Sequence, residues 1–142
     1  MFVTTAVLVT GCISSMEPRG NGPVAIQRAG ATILLAVCKP LTMDSIYLQE
    51  STPGHSANLL WHFYKTVRFS PDASYSQADL RGDGEMVAPE PTMVKGNAIE
   101  IDMTSTLDGP VTAAFLIEAA SLSSKTWLHP DGSTSISPCP PK

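Results

Sequence analysis

Three histidines are the side chains of this chain best suited to acid–base chemistry, and they lie far apart in the sequence at His55, His62 and His129. A hydrolase could combine His62 and His129 with a carboxylate if the fold brought them together. The serine-nucleophile patterns GxSxG and SxxK and the Gly-rich phosphate-binding loops do not occur. We therefore expect a protein that is not an enzyme and has no cofactor, and a hydrolase site around His62 and His129 is the alternative.

Cys12 follows an apolar run of about ten residues, which suits the core of a signal peptide and is too short to span a bilayer. The run ends in Val9, Thr10, Gly11 and Cys12, which resembles the lipobox of bacterial lipoproteins. That resemblance implies cleavage before Cys12, diacylation of its thiol, and a protein held by lipid on the extracytoplasmic side of the cell membrane.

The segment after Cys12 supports the same interpretation because SSMEPRGNGP is polar and rich in Gly and Pro, as a flexible tether is. We expect a signal-peptide-like segment at 1–11, a tether at 12–22 and a folded domain at 23–142. Lipoprotein signals begin with basic residues, and none precedes Cys12 here. The lipoprotein interpretation therefore expects the true start upstream of Met1, and the alternative is a first β-strand that ends in a buried or free Cys12.

If Cys12 carries lipid, two cysteines remain, an even number for an exported domain. Cys38 ends the apolar run ATILLAVC, and Cys139 lies in the Pro-rich tail SPCPP. A disulfide between them would close a loop of about 100 residues and stabilise the fold by about 4–5 kcal/mol in the chain-entropy model. The alternative is a buried free Cys38 with an unpaired Cys139. We expect no metal site of the zinc type because CxxC and HxxxH spacings do not occur.

The acidic stretch DLRGDGE has two further interpretations besides a plain turn. It contains the tripeptide RGD, which is found in adhesive proteins. Asp79, Asp83 and Glu85 could also supply oxygen ligands to Ca²⁺, although the EF-hand spacing is missing. Because Gly residues favour a turn at this place without any ligand, we expect a turn.

Composition narrows the class of protein. The chain has 142 residues, a net charge of −4 and only 15% charged residues, against roughly 25% in average soluble proteins. The length suits one domain with a core of its own. No run of Lys or Arg occurs, which argues against nucleic acid and against an anionic membrane surface as partners.

The chain alternates short apolar runs with Gly, Pro and Asp-Gly turns, and no long helical period appears. This pattern predicts an all-β domain, most simply an immunoglobulin-like sandwich of two sheets, with a small β-barrel as the alternative. Cys38 followed by Trp61 also resembles the Cys-then-Trp order of immunoglobulin domains. The segment 70–97 is the least regular, and 111–119 suits either a strand or a helix. The predicted strands are 23–29, 31–38, 44–50, 58–69, 98–104, 127–128 and 135–136.

Alternation within 58–65 divides its side chains between two faces. Leu59, Trp61 and Phe63 are expected on one face, and Leu60, His62 and Tyr64 on the other. We expect Trp61 and Phe63 in the core, since Trp in a small sandwich is usually buried. His62 and Tyr64 then face away from the core and become the candidate partner-binding residues.

The run AAFLIEAASLSSKTWLHPDGS is similar to small lipoproteins of Gram-positive actinobacteria, and this similarity brings no site residues with it. We expect a monomeric, non-enzymatic exported lipoprotein that binds a protein or an envelope component at the cell surface. Two further alternatives are an immunity lipoprotein that neutralises a secreted toxin and a structural module of a surface or phage assembly.

Overall fold

The fold was analysed from a computed structural model, which describes residues 23–71, 73–80, 92, 94–118 and 122–139. The expected signal-like segment, the tether with Cys12, and the RGD tripeptide lie outside the described residues. The elements are β1 (Val24–Ala29), β2 (Thr32–Val37), β3 (Leu41–Ser51), β4 (Asn58–Phe69), β5 (Ser74–Tyr75), α1 (Gln77–Leu80), β6 (Ala98–Thr104), β7 (Val111–Leu116), β8 (Trp127–Leu128) and β9 (Thr134–Ser135).

The strands form two antiparallel sheets that do not close on each other. One sheet has the order β5-β2-β1-β8-β9, and the other has the order β4-β3-β6-β7. The orders β1-β2-β5 and β4-β3-β6-β7 correspond to strands A-B-E and C′-C-F-G of immunoglobulin domains. The predicted immunoglobulin-like sandwich is thus confirmed, and the barrel alternative is wrong. The strands β8 and β9 extend the first sheet beyond the position of strand A.

Local sequence explains the two main hairpins. Gly30 adopts a φ of +61° between β1 and β2, and Gly109 adopts a φ of +75° between β6 and β7. Both conformations lie in the left-handed region that glycine enters without steric cost. The predicted hairpin around Gly30 is confirmed. The ambiguous run that starts at Val111 is a strand up to Leu116, because Val111, Ala113 and Phe115 alternate into the core.

The core lies between the sheets and is built from the inward-facing residue of each strand pair. In the second sheet, Ile46 lies opposite Phe63 and Met103, and Leu48 lies opposite Trp61 and Ile101. All six side chains are buried, which confirms the expectation that Trp61 and Phe63 belong to the core. Trp61 is on β4, however, and not on the strand equivalent to C, so the resemblance to the immunoglobulin Cys–Trp order does not extend to its position.

A β-bulge in β4 makes one part of the face prediction wrong. Leu48 pairs with Trp61, while the next residue, Gln49, pairs with Leu59. Leu60 is the extra residue, and it is buried in the core together with Trp61. A strict period of two assigned Leu60 to the face away from the core and Leu59 to the core face. Both assignments are wrong, because the bulge interrupts that period.

A second, smaller cluster covers the outside of the first sheet. Ala25 and Ala36 are paired across β1 and β2, and Trp127 packs with them and with Leu34. The small alanine side chains leave room for the indole on a face that would otherwise be open to water. This explains why β2 is apolar on both faces.

The C-terminal segment is joined covalently to the sandwich. Cys38, which follows β2, is bonded to Cys139, with the two Cα atoms 5.3 Å apart and a sequence separation of 101. The structure thus supports the predicted disulfide. The tail needs such a bond, because β8 pairs with β1 at a single position, Ile26 with Leu128.

Candidate functional site

The outer face of the four-stranded sheet places side chains from four strands in cross-strand rows. In the central row, Tyr47 lies between His62 on β4 and Asp102 on β6, and Thr112 on β7 follows Asp102. Directly opposed side chains in an antiparallel sheet have Cβ atoms about 5 Å apart. These residues therefore form one continuous surface, which we call the outer face.

Three aromatic rings lie together on the outer face. The rings of Tyr47 and His62 meet edge to face with centroids 5.2 Å apart, and those of His62 and Tyr64 are 4.4 Å apart. Tyr64 is 71% exposed, whereas Tyr47 and His62 are partly buried. We call Tyr47, His62 and Tyr64 the aromatic cluster. An exposed ring at the end of a row of packed rings is a typical contact point for a partner.

Two carboxylates lie beside the aromatic cluster. Glu100 and Asp102 are two residues apart on β6, so their side chains share the outer face. The amide of Gln49 donates a hydrogen bond to Glu100. Partial burial, and to a smaller extent repulsion from Glu100, raises the pKa of Asp102 above its ordinary value. The central strands β3 and β6 and the edge strand β7 contain no Lys or Arg.

One end of the outer face is held in place by side-chain hydrogen bonds. The hydroxyls of Ser45 and Thr104 are 2.7 Å apart across β3 and β6. The carboxylate of Asp44 accepts hydrogen bonds from the backbone and hydroxyl of Thr106 and from the hydroxyl of Thr66. The backbone hydrogen bond from Thr106 is the largest cause of the lowered pKa of Asp44. The loop between β6 and β7 is thereby fixed to β3 and β4.

The sequence predicted that His62 and Tyr64 share one face, and the structure places both on the outer face. The sequence did not single out Tyr47 or Asp102. Alternation within 44–50 did assign Tyr47 to the face opposite Ile46 and Leu48, but its proximity to His62 and Asp102 depends on the register between strands. Nothing in the local sequence reports that register.

The structure does not bring His62 and His129 together. His62 lies on the outer face of the second sheet, whereas His129 follows β8 in the first sheet, where its Nε2 is 2.6 Å from the hydroxyl of Ser135. The two histidines therefore belong to different sheets, which pack about 10 Å apart. His55 is in the exposed loop between β3 and β4.

Asp79, one of the three candidate calcium ligands, caps α1. Its carboxylate accepts hydrogen bonds from the backbone and hydroxyl of Ser76, and the Ser76 hydroxyl accepts one from the backbone of Asp79. This reciprocal pair is a capping box, and it lowers the pKa of Asp79. Asp83 and Glu85 lie outside the described residues. Within the described part of the chain, no three His, Cys, Asp or Glu side chains form a group that could hold a metal ion.

Glu50 is a charged side chain that is buried in the structure, which the sequence did not predict. It lies at the end of β3 with 2% of its surface exposed. Both of its carboxylate oxygens accept hydrogen bonds from Thr92, at 2.8–2.9 Å. It faces the interior and not the outer face, so its role is to attach the chain around Thr92 to β3.

In comparisons with known proteins, no family model, no curated protein and no solved structure matches this chain. Within the residues that the structure describes, no helix is long and apolar enough to cross a membrane.

Proposed function

We propose that this protein is a non-enzymatic lipoprotein module that acts outside the cytoplasm and binds a protein or an envelope component through the outer face. The observation that carries the proposal is the aromatic cluster. Tyr64 is largely exposed and contacts the ring of His62, which in turn contacts the ring of Tyr47. Rigid aromatic side chains give a large contact area for a small loss of conformational entropy, which is why they dominate binding surfaces.

The disulfide between Cys38 and Cys139 supports a location outside the cytoplasm, because such bonds persist in oxidising compartments. The lipobox-like Cys12 supplies the proposed attachment to the membrane. Mass spectrometry of the protein from its native host tests this part directly. A diacylglyceryl group on Cys12 is expected in the membrane fraction, and an unmodified Cys12 there would overturn the lipid attachment.

Capture from an envelope extract tests the binding function. The full chain and two variants serve as bait: Tyr64→Ser, which removes the exposed ring, and Ile136→Ser, which removes an 87% exposed apolar side chain that is not in the four-stranded sheet. We expect a component that the wild type and Ile136→Ser retain and that Tyr64→Ser loses. Equal retention by all three baits would show that the outer face is not the binding surface.

A further inference from the structure

We propose that the outer face recognises a basic segment of a partner protein, with a Lys or Arg side chain of that segment placed between Tyr47 and Asp102. This inference rests on the proposed function and specifies its partner. It follows from the placement of an aromatic ring and a carboxylate at directly opposed positions of neighbouring strands.

The register between β3 and β6 brings Tyr47 and Asp102 together. Tyr47 and Asp102 are cross-strand partners, so their Cβ atoms lie about 5 Å apart on the same side of the sheet. A cation at this position can contact the ring face, within the roughly 6 Å over which a cation is attracted by an aromatic ring. It can pair with the carboxylate at the same time. A guanidinium group suits the site well, since it both stacks on rings and binds carboxylates through two hydrogen bonds.

The negative charge around Asp102 favours binding of a Lys or Arg side chain. Glu100 lies two residues from Asp102 on the same face, and neither has a Lys or Arg neighbour in β3, β6 or β7. β4 contains two basic residues, Lys65, which follows Tyr64, and Arg68, which is paired with Thr42 towards the end of the strand. Neither of them is directly opposed to Tyr47 or Asp102. Partial burial, and to a smaller extent repulsion from Glu100, raises the pKa of Asp102, and the positive charge of an incoming cation would offset that repulsion.

The same charges argue against other occupants. A second copy of the chain that used this face would bring two acidic pairs towards each other, which is unfavourable. An anionic lipid surface would be repelled for the same reason. A basic protein segment complements both the aromatic cluster and the carboxylates, and the chain's net charge of −4 would also speed its approach.

A defined peptide tests the inference. The probe is a heptapeptide of alternating Gly and Arg, and its control is the same peptide with citrulline in place of Arg, which keeps the shape and removes the charge. Titration into the ¹⁵N-labelled full chain should shift the amide resonances of Tyr47, Glu100 and Asp102 with the Arg peptide only. The affinity should fall with added salt. Equal shifts with both peptides, or no shifts with either, would overturn the inference.

Matched variants test whether the charge of Asp102 itself contributes to binding of the Arg peptide. Asp102→Asn should weaken binding of the Arg peptide about tenfold, as expected for loss of a charge-assisted hydrogen bond. Asp131→Asn makes the same change of charge in the turn between β8 and β9, on the other sheet, and should leave the affinity unchanged. Equal weakening by both variants would indicate only a long-range effect of net charge and would contradict a site at Tyr47 and Asp102.

The two proposals can fail separately. If Tyr64→Ser abolishes capture of the envelope component while Asp102→Asn and added salt leave that capture unchanged, the binding function stands and the basic partner is overturned. If neither variant changes capture, the outer face is not a binding surface and both proposals fall. Binding of phosphatidylglycerol vesicles in place of the Arg peptide would also contradict the basic partner.

Discussion

The carboxylate of Asp44 accepts two hydrogen bonds from Thr106, one from its backbone N–H at 2.9 Å and one from its hydroxyl at 3.1 Å. Its other oxygen accepts a hydrogen bond from Thr66 at 3.2 Å. One side chain of β3 thus fixes both the loop after β6 and the irregular middle of β4. The loop carries Leu107, which is 78% exposed, so its order depends on polar contacts and not on burial of its own apolar residue.

Asp44→Ala should therefore loosen the loop between β6 and β7. Three hydrogen bonds are lost together, and the N–H of Thr106 loses its acceptor. We expect faster amide hydrogen exchange at Thr106 and a lower melting temperature. Asp131→Ala is the control, because Asp131 bonds only within its own turn, to Ser133. Unchanged exchange at Thr106 in Asp44→Ala would show that other contacts hold the loop.

Loss of the disulfide should destabilise the domain strongly. A cross-link that closes a loop of about 100 residues contributes about 4–5 kcal/mol in the chain-entropy model, and Cys38 and Cys139 are 101 residues apart. We expect Cys38→Ala, Cys139→Ala and reduction of the wild type to lower the free energy of unfolding in urea by similar amounts. Cys12→Ser is the control and should change nothing. A small effect of Cys139→Ala would mean that the tail is not bonded to Cys38.

Trp127 and Ala36 should be energetically coupled. Ala36→Leu inserts methylene groups under the indole and should cost about 1–3 kcal/mol. In a Trp127→Ala background the larger side chain has room, so its cost should fall by at least about 0.5 kcal/mol in a double-mutant cycle. Ile46→Val, in the separate main core, should be additive with Trp127→Ala. Additivity of both pairs would contradict the packing of Trp127 on Ala36.

Leu59 and Leu60 of β4 show the limit of predicting buried faces from alternation within one strand. The alternation of 58–65 correctly assigned Trp61 and Phe63 to the core and His62 and Tyr64 to the outer face. It assigned both Leu59 and Leu60 wrongly, because the bulge between Leu59 and Trp61 depends on pairing with β3 and leaves no mark on the local pattern. The side chains that complete the outer face come from a strand about 40 residues away, so no period within one strand could predict them.

This difference between the two leucines can be measured. Leu60 is buried in the core, whereas Leu59 pairs with Gln49 on the outer face and is only partly buried. Leu60→Ala should lower the free energy of unfolding by about 2–5 kcal/mol. Leu59→Ala should cost at least about 1 kcal/mol less, in proportion to the apolar area that it buries. Equal costs, measured by urea denaturation, would argue against the bulge.

The ionised carboxylates of Asp44 and Asp102 should have opposite effects on the free energy of unfolding. Hydrogen bonds from Thr106 lower the pKa of Asp44 below 3.8, whereas burial and Glu100 raise the pKa of Asp102 above 3.8. Folding therefore favours the charged form of Asp44, and the stability that this adds is present at neutral pH and is lost as the pH falls through the folded-state pKa. Folding disfavours the charged form of Asp102, so that cost is present at neutral pH and disappears as the pH falls through its raised pKa.

Melting temperatures measured between pH 7 and pH 3 should separate the two groups. At pH 7, Asp44→Asn should lower the melting temperature and Asp102→Asn should raise it slightly, because the latter removes a partly buried charge that is repelled by Glu100. Both differences in melting temperature from the wild type should shrink as the pH falls. The difference for Asp102→Asn should shrink first, because Asp102 has the higher pKa of the two groups. Carboxyl ¹³C titration of the wild type gives the order directly, and a lower pKa for Asp102 than for Asp44 would contradict the arrangement of the outer face.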